Sequence, residues 1–319
     1  MLPRITIITP SFNQGKFLEQ TILSVLNQNY PNLEYIIIDG GSTDESVEII
    51  KKYEDKLSYW ISEPDNGQAH AINKSLAHAT GDVFNWLNSD DYLEPGALNE
   101  IGNYFSEHPE SLVYCGYTHC FFDVDKVTSH EYRMGVKETV TDTILNVEMS
   151  QPATYYNMKA IKEIGGVNES LRYVFDDELW FRYLCRYGIS GIGFSEKRFA
   201  NFRLHGSSKS VGEGFDGFNK EIQAIYINMA RNANAPDWLI DKMMENDFAH
   251  TYRQLGEWDL KYLNRDKFLA SFAVKYINSL YLSGKNKEAR QAMKMTIENG
   301  YFKWNRMLTS LRIKLALGV

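Results

Sequence analysis

Within its first hundred residues the chain alternates short, continuously apolar runs with stretches of helical periodicity. RITIIT (4–9), LEYIIID (33–39), LSYWIS (57–62) and VFNWLN (83–88) read as strands buried on both faces. Between them, Phe17, Leu18, Ile22, Val25 and Leu26 recur at helical spacing, as do Ala69, Ile72, Leu76 and Ala79. Ser42 and Glu45 form an S-x-x-E capping box that predicts a helix start there. Thr80-Gly81-Asp82 ends the third helix. This alternation constrains the chain to an α/β fold with a mostly parallel sheet flanked by helices. Ligands of such sheets sit outside the carboxyl ends of the strands. Those ends carry Thr9-Pro10-Ser11, Asp39-Gly40-Gly41, Glu63-Pro64-Asp65 and Asn88-Ser89-Asp90-Asp91. The adjacent carboxylates Asp90 and Asp91 are therefore expected at the mouth of a cleft rather than in the core.

The rest is less regular. Residues 112–122 read as a strand, 123–140 as a hairpin or long loop, and 158–164 and 176–187 as helices. From Pro236 the pattern is almost wholly helical, with a hairpin turn in YLSGKNKEA (281–289). We expect a domain over 1–235, with a nucleotide-binding half at 1–100 and an acceptor half at 101–235, followed by a helical region at 236–319. The net charge of −7 argues against a nucleic-acid partner. No run approaches the ~20 apolar residues of a membrane span, and no signal peptide is evident. Three cysteines (115, 120 and 185) without a paired framework point to a reducing, cytoplasmic setting.

Several residues on the rim carry chemistry. There is no G-x-G-x-x-G or G-x-x-x-x-G-K-[ST] loop to cradle phosphates. Asp90 and Asp91 offer hard oxygens for Mg²⁺ or Mn²⁺, or simply form a turn before the next helix. Asp39 is placed to meet a ribose or base, or to turn the chain into Gly40-Gly41. Lys74 is a phosphate contact or a solvated lysine. Asp176, Asp177 and Glu178 start a helix, where carboxylates suit the dipole; three in a row should also raise a pKa and make a general base. His205 lies among small polar residues in FRLHGSSKS.

Four blocks in order resemble family 2 glycosyltransferases, which have the GT-A fold: TIITPSFNQGKFLEQTILSVLNQNYPNLEYIIIDGGSTDES, DNGQAHAINKSLAHATGDVFNWLNSDD, GGVNESLRYVFDDELWFRYL and FRLHGSSKS. The resemblance spans roughly residues 3–210 and looks most like the O-antigen, capsule and surface-polysaccharide branch. It implies that Pro10, Ser11 and Asp39 contact the base and ribose of a nucleotide sugar. Asp65, Gln68, Asn73, Lys74, Asn88 and Ser89 would line the donor pocket. Asp90 falls on the last acid of the family's D-x-D metal motif, with Asp91 and His205 as further metal candidates for Mn²⁺ or Mg²⁺. Asp176, with Asp177 as second choice, falls on the catalytic base. The sequence departs from the family at Asn88 and Phe175, each standing where an acid is usual. Gln151, Arg172 and Tyr173 are weaker acceptor-side candidates.

The resemblance implies an inverting enzyme that moves a sugar from a UDP- or dTDP-sugar to a hydroxyl of a glycan or lipid-linked saccharide. A basic amphipathic segment, YFKWNRMLTSLRIKLALGV (301–319), suits contact with the inner face of a membrane. Two rivals are a non-catalytic binding module and a sugar-1-phosphate nucleotidyltransferase. The latter is disfavoured by the glycine-poor TPSFNQGKF after the first strand.

Overall fold

The computed structural model describes residues 1–124, 127–206, 208–209, 216–244, 252–298 and 300. The basic segment at 301–319 lies outside the described residues. Strand β1 (Ile5–Ser11) is buried along its whole length because it is central. It pairs in parallel with β2 (Leu33–Asp39) on one side and β4 (Val83–Trp86) on the other. β3 (Tyr59–Ser62) extends the parallel edge beyond β2. The continuous apolar runs of the sequence are these strands. Between them stand α1 (Gly15–Leu26), α2 (Ser46–Lys52) and α3 (Gln68–His78).

The second half of the sheet is mixed. β6 (Val113–Phe122) forms a hairpin with β7 (Thr128–Arg133) and pairs antiparallel with β8 (Thr154–Asn157). β8 joins the two halves through antiparallel pairing to β4. β9 (Ile192–Leu204) runs parallel to β6, and the two-residue β5 (Tyr92–Leu93) pairs with β9. The order is β3-β2-β1-β4-β8-β6-β9-β5, with β7 on β6. Helices α4 (Ala97–Glu107), α5 (Val140–Leu145), α6 (Met158–Glu163) and α7 (Phe175–Tyr187) complete this part.

The C-terminal helices are α8 (Asp216–Asn232), α9 (Asp237–Met244), α10 (Arg265–Leu282) and α11 (Asn286–Glu298). The turn expected within 281–289 is the short link between α10 and α11. One buried apolar cluster runs from Ile8, Phe84 and Trp86 through Trp180 and Phe181 of α7 to Ile225, Phe268 and Ile277. These helices thus share a core with the sheet. Among the described residues no helix is long and apolar enough to cross a membrane.

The capping box is not formed. The Ser42 hydroxyl donates to Asp39 instead, and α2 begins at Ser46, whose N–H donates to Asp44 Oδ1 at 3.0 Å. The Ser42 oxygen accepts from the Asn13 N–H at 2.8 Å, so it is engaged across the chain rather than with the helix start. At the other end of the strands, Gly81 packs against the start of β1. A Cβ there would lie 2.9 Å from the Arg4 carbonyl oxygen and 3.0 Å from the Thr6 nitrogen. Because backbone cannot yield cheaply, Gly81→Ala is expected to cost about 1–3 kcal/mol in chemical denaturation.

Candidate active site

The four polar strand ends do assemble on one rim, but burial divides their residues into two sets. Asp39 has no exposed surface. Its carboxylate accepts from the Gly41 and Ser42 N–H groups at 3.1 and 2.8 Å, from Ser42 Oγ at 2.5 Å and from Ser62 Oγ at 2.7 Å. With four internal donors, Asp39 shapes the turn after β2. Pro10 and Ser89 are also buried, and the Ser89 carbonyl accepts from the Thr21 hydroxyl. Asn73 is turned away from the rim: its amide pairs with the backbone of Val167 at 2.8 and 3.0 Å and with Glu169. Lys74 pairs with Glu63 at the end of β3. Gln151 is buried beneath β4, donating to Asn85 Oδ1 and the Trp86 carbonyl. The polar groups among them have partners inside the protein, as buried polar groups must.

Asp90 and Asp91 also separate. Neighbouring residues in a tight turn project to opposite sides, and here one points outward and one inward. Asp91 is 1% exposed; its Oδ1 accepts from the Arg203 N–H at 2.9 Å and its Oδ2 from the Asn88 amide at 3.3 Å. Burial, and then the charge of Asp90, push its carboxyl well above the usual range. The expected exposure of both carboxylates therefore holds for Asp90 alone, and Asp91 anchors the turn. Asp90 keeps accessible surface, and its Oδ2 lies 2.9 Å from His205 Nε2. His205 arrives from the end of β9, with its ring against Phe17 at 4.6 Å. Ser208 holds its backbone, exchanging hydrogen bonds with the His205 N–H and carbonyl.

Arg203 ties this corner together and was not singled out in the sequence. Its Nε donates to the Asp90 carbonyl at 2.8 Å, Nη1 to Asp123 at 2.7 Å and Nη2 to Gln20 at 2.6 Å. Its guanidinium sits 4.7, 5.7 and 5.1 Å from the ring centres of Phe17, Tyr92 and Phe121. Arg203 stands one residue before the end of β9, inside the FRLHGSSKS block, where His205 drew the attention. The oxygen and nitrogen donors of Asp90 and His205 suit a divalent cation such as Mn²⁺. Among the described residues no group of three or more His, Cys, Asp or Glu side chains is placed to hold a metal. Two protein donors are enough only where ligand phosphates supply others.

On the facing side, Asp176 and Asp177 occupy the first turn of α7. Phe175, where the family carries an acid, is buried with its ring 5.9 Å from that of Trp86. It anchors the helix start to β4. Glu178 leaves the row of carboxyls: it is fully buried and paired with Arg182 at 2.6 Å. Burial raises Asp176 to about 6, opposed by the N–H groups of Asp177 and Asp176 and by the Lys209 ammonium, with Glu221 adding to the rise. Asp177 is pushed well above the carboxylate range, by burial first and the charge of Asp176 second. Glu221 of α8 accepts the consecutive N–H groups of Arg172, Tyr173 and Val174 at 2.7, 2.8 and 3.1 Å, fixing the approach to the base. Arg172 is exposed and Tyr173 half-buried, its ring 5.0 Å from that of Phe218.

A polar chain links the two sides. Asn88 donates to Asp91 and accepts from Gln68 Nε2 at 2.6 Å; Gln68 Oε1 in turn accepts from Lys209 Nζ at 2.8 Å. Asp65 lies against Gly40, where a Cβ would stand 3.1 Å from its Oδ2. Two further groups mark the end of β1. Ser11 Oγ is buried without a hydrogen-bond partner, and Phe12 is 60% exposed. An aromatic directly after a rim strand was the available signal for Phe12. A cavity of about 340 Å³ lies elsewhere, lined by Lys162, Arg182, Arg186 and Trp258 among others. Its cations are held internally, by the Ala79 carbonyl, Glu178 and Glu163, so it is separate from the rim.

The rim of this α/β sheet thus gathers one open carboxylate and an imidazole, joined through a polar chain to a raised carboxyl pair at the start of α7. Residues 6–165 match glycosyl transferase family 2, and the chain belongs to that family. It is 27% identical over 214 residues to an uncharacterized glycosyltransferase of Rickettsia typhi, a match that covers 64% of each chain. It is 36% identical over 129 residues to one of Haemophilus influenzae, covering 40% of this chain and 52% of that one. The chain thus spans less than two thirds of the length of these relatives. Among solved structures it resembles S. aureus TarS 1–349 in complex with UDP, with TM-score 0.56 and 17% identity over 99% of this chain and 92% of that chain. It also resembles the mannosyltransferase PcManGT from Pyrobaculum calidifontis in complex with GDP-Man and Mn²⁺, with TM-score 0.53 and 16% identity over 99% and 87% of the two chains. The fold is α/β of the GT-A type.

Proposed function

We propose that the protein transfers a sugar, with inversion, from a nucleoside diphosphate sugar to a saccharide hydroxyl. The observation that carries this reading is the meeting of Asp90 and His205 at 2.9 Å, opposite a helix start whose carboxyl is raised to about 6. The end of β1 would receive the nucleoside. There the Phe12 ring offers a face for base stacking, and Ser11 Oγ a buried polar atom in need of a partner. Asp65, Gln68 and Asn88 line the way toward Asp90. A divalent cation held by Asp90 and His205 would supply positive charge to the diphosphate leaving group.

Asp176 acts as general base. It takes the proton of the acceptor hydroxyl while that oxygen attacks the anomeric carbon from the face opposite the diphosphate. Asp177 is also pushed well above the carboxylate range, by burial and by the charge of Asp176, so we read Asp176 as the member of the pair that takes the proton. The segment of Arg172 and Tyr173 flanks the base and is placed to meet the acceptor, which we read as a growing surface glycan or lipid-linked saccharide. UDP is the preferred nucleotide, which accords with TarS having been solved with UDP and with UDP-GlcNAc.

Thermal shift with UDP, dTDP and GDP, each with Mn²⁺, Mg²⁺ or EDTA, tests the reading. We expect one nucleotide to stabilise the fold in the presence of metal, by about 2.7 kcal/mol at a hundredfold excess over Kd. We expect the metal dependence to disappear in Asp90→Ala. No shift with any of the three, in folded protein, would favour a non-catalytic module.

A further inference from the structure

Two carboxylates share the backbone donors at the start of α7. Val174 precedes the helix and gives it no side-chain cap. The N–H of Arg172 donates to Glu221 Oε1, and those of Tyr173 and Val174 donate to Glu221 Oε2. The Asp176 carboxyl accepts from the N–H groups of Asp177 and of Asp176 itself. The donors ahead of the helix thus go to one acid, and those inside its first turn go to the other.

Helix α8 grips this segment at more than one point. A Cβ at Gly217 would collide with the Tyr173 ring, so the first turn of α8 lies directly on that residue. The ring of Phe218 packs beside it. Glu221 follows Gly217 by four residues and so stands on the same face of α8. A carboxylate on three successive N–H groups leaves the backbone at 172–174 little freedom, and Asp176 follows two residues later.

An acid alone in the first turn of a helix is stabilised as the anion by the positive end of the dipole. At α7 that end already faces Glu221, whose charge opposes ionisation of Asp176. The other groups around Asp176 come from several elements. Asp177 lies beside it on α7, and Lys209, from the segment after β9, favours its ionised form. Tyr132 of β7 and Tyr156 of β8 face it too, both kept neutral because burial first, and nearby acids after it, push them above the ordinary phenol range. On α8, Tyr226 faces Asp177, and Lys220 is paired with Asp216 at 2.6 Å. Arg172 is exposed on the clamped segment.

We propose that Glu221 is a positioning residue for the general base: by occupying the donors ahead of α7 it fixes the backbone that carries Asp176 and withholds those donors from the Asp176 carboxylate. Without the Glu221 charge, Asp176 would ionise more easily and hold a proton less well. Acceptor activation would then weaken although Glu221 touches no reacting atom. This proposal rests on the reading of Asp176 as the base of a sugar transfer.

The test compares wild type, Glu221→Gln and Glu221→Asp. One readout is kcat/KM against pH, measured as release of nucleoside diphosphate. The other is the titration of the Asp176 carboxyl carbon by NMR, assigned by its loss in Asp176→Asn. Glutamine keeps the length and one accepting oxygen but drops the charge. The limb near about 6 and the carboxyl titration should both move to lower pH, by about 0.5–1 pH unit. The plateau above the limb should fall by about 3- to 10-fold, because a weaker base takes the proton less readily and one N–H loses its acceptor. Nucleotide affinity by isothermal titration should stay within a few-fold of wild type. Glu221→Asp keeps the charge, so its limb should remain near about 6 even where the shorter reach lowers the plateau. Circular dichroism melts identify the folded variants. A loss by the same factor at every pH, with the carboxyl titration unmoved, would overturn the proposal alone, since Glu221 would then be a structural tie. An unmoved limb with full activity in Glu221→Gln would overturn it as well. A wild type that releases no nucleoside diphosphate from any donor would overturn the base reading and the proposal with it.

Discussion

Asp176→Asn is expected to lower kcat by about 10²- to 10⁴-fold while leaving nucleotide affinity within a few-fold of wild type. The amide keeps the shape of the carboxyl and its place in the first turn of α7, but it cannot take a proton. Asp177→Asn should cost far less, because burial and the charge of Asp176 already disfavour ionisation of that carboxyl. The pH profile is a second readout. A base must be ionised, so kcat/KM should rise with pH through about 6 and level off above it. In Asp176→Asn that limb should vanish from the residual activity. Stability moves the other way. Burial raises the folded-state pKa above the unfolded one, so the folded chain binds this proton more tightly. The favourable contribution is complete below about 4 and is lost as pH rises through about 6. Asp176→Asn should therefore stabilise the fold at pH 7.5, by an amount on the order of 1–3 kcal/mol, and leave stability unchanged at pH 4. A variant that retains full turnover, measured as release of nucleoside diphosphate, would remove Asp176 from the mechanism.

The second large effect concerns Arg203. Its side chain is 4% exposed and paired with Asp123, while its backbone and Nε hold the Asp90–Asp91 turn. Arg203→Ala would remove the buried partner of Asp123, leaving the exposed Lys16 at 2.9 Å, and would open a gap among Phe17, Tyr92 and Phe121. Breaking a buried ion pair from one side costs about 3–5 kcal/mol, so we expect a loss of that order in denaturant unfolding. Metal affinity, read as the Mn²⁺ signal in electron paramagnetic resonance, should fall with it in the protein that stays folded. Arg203→Lys should retain part of the stability but not the three-way geometry, since a single ammonium cannot reproduce the planar fork. A loss of less than about 1 kcal/mol in Arg203→Ala would show that the network is not what fixes Asp90.

Position in the fold was far easier to read than the role of each polar group. LEYIIID became β2 residue for residue, and the helix expected at 176–187 begins one residue earlier. The polar clusters at the strand ends fell on one rim because strand direction alone decides that. The capping box failed because Asp39, buried in the turn after β2, claims Ser42. Asn73 was expected in the donor pocket but faces Val167, 94 positions away in the chain. The Asn73 pairing leaves no mark in local spacing. The same holds for Glu221, which reaches the start of α7 from a segment with no motif of its own.

By itself the sequence determined the α/β class, the parallel half of the sheet, the rim on which ligands must sit, and the family whose blocks it carries. Those follow from local periodicity and strand direction. The tertiary structure decided which carboxylate of the Asp90–Asp91 pair stays open, that both acids at the start of α7 are raised by burial, and that Phe175 and Asn88 are packing and hydrogen-bonding partners of the rim. The physical reason is burial. Whether an acid is a ligand, a base or an anchor depends on how much water it keeps and which distant donors reach it, and both are set only when the chain folds on itself.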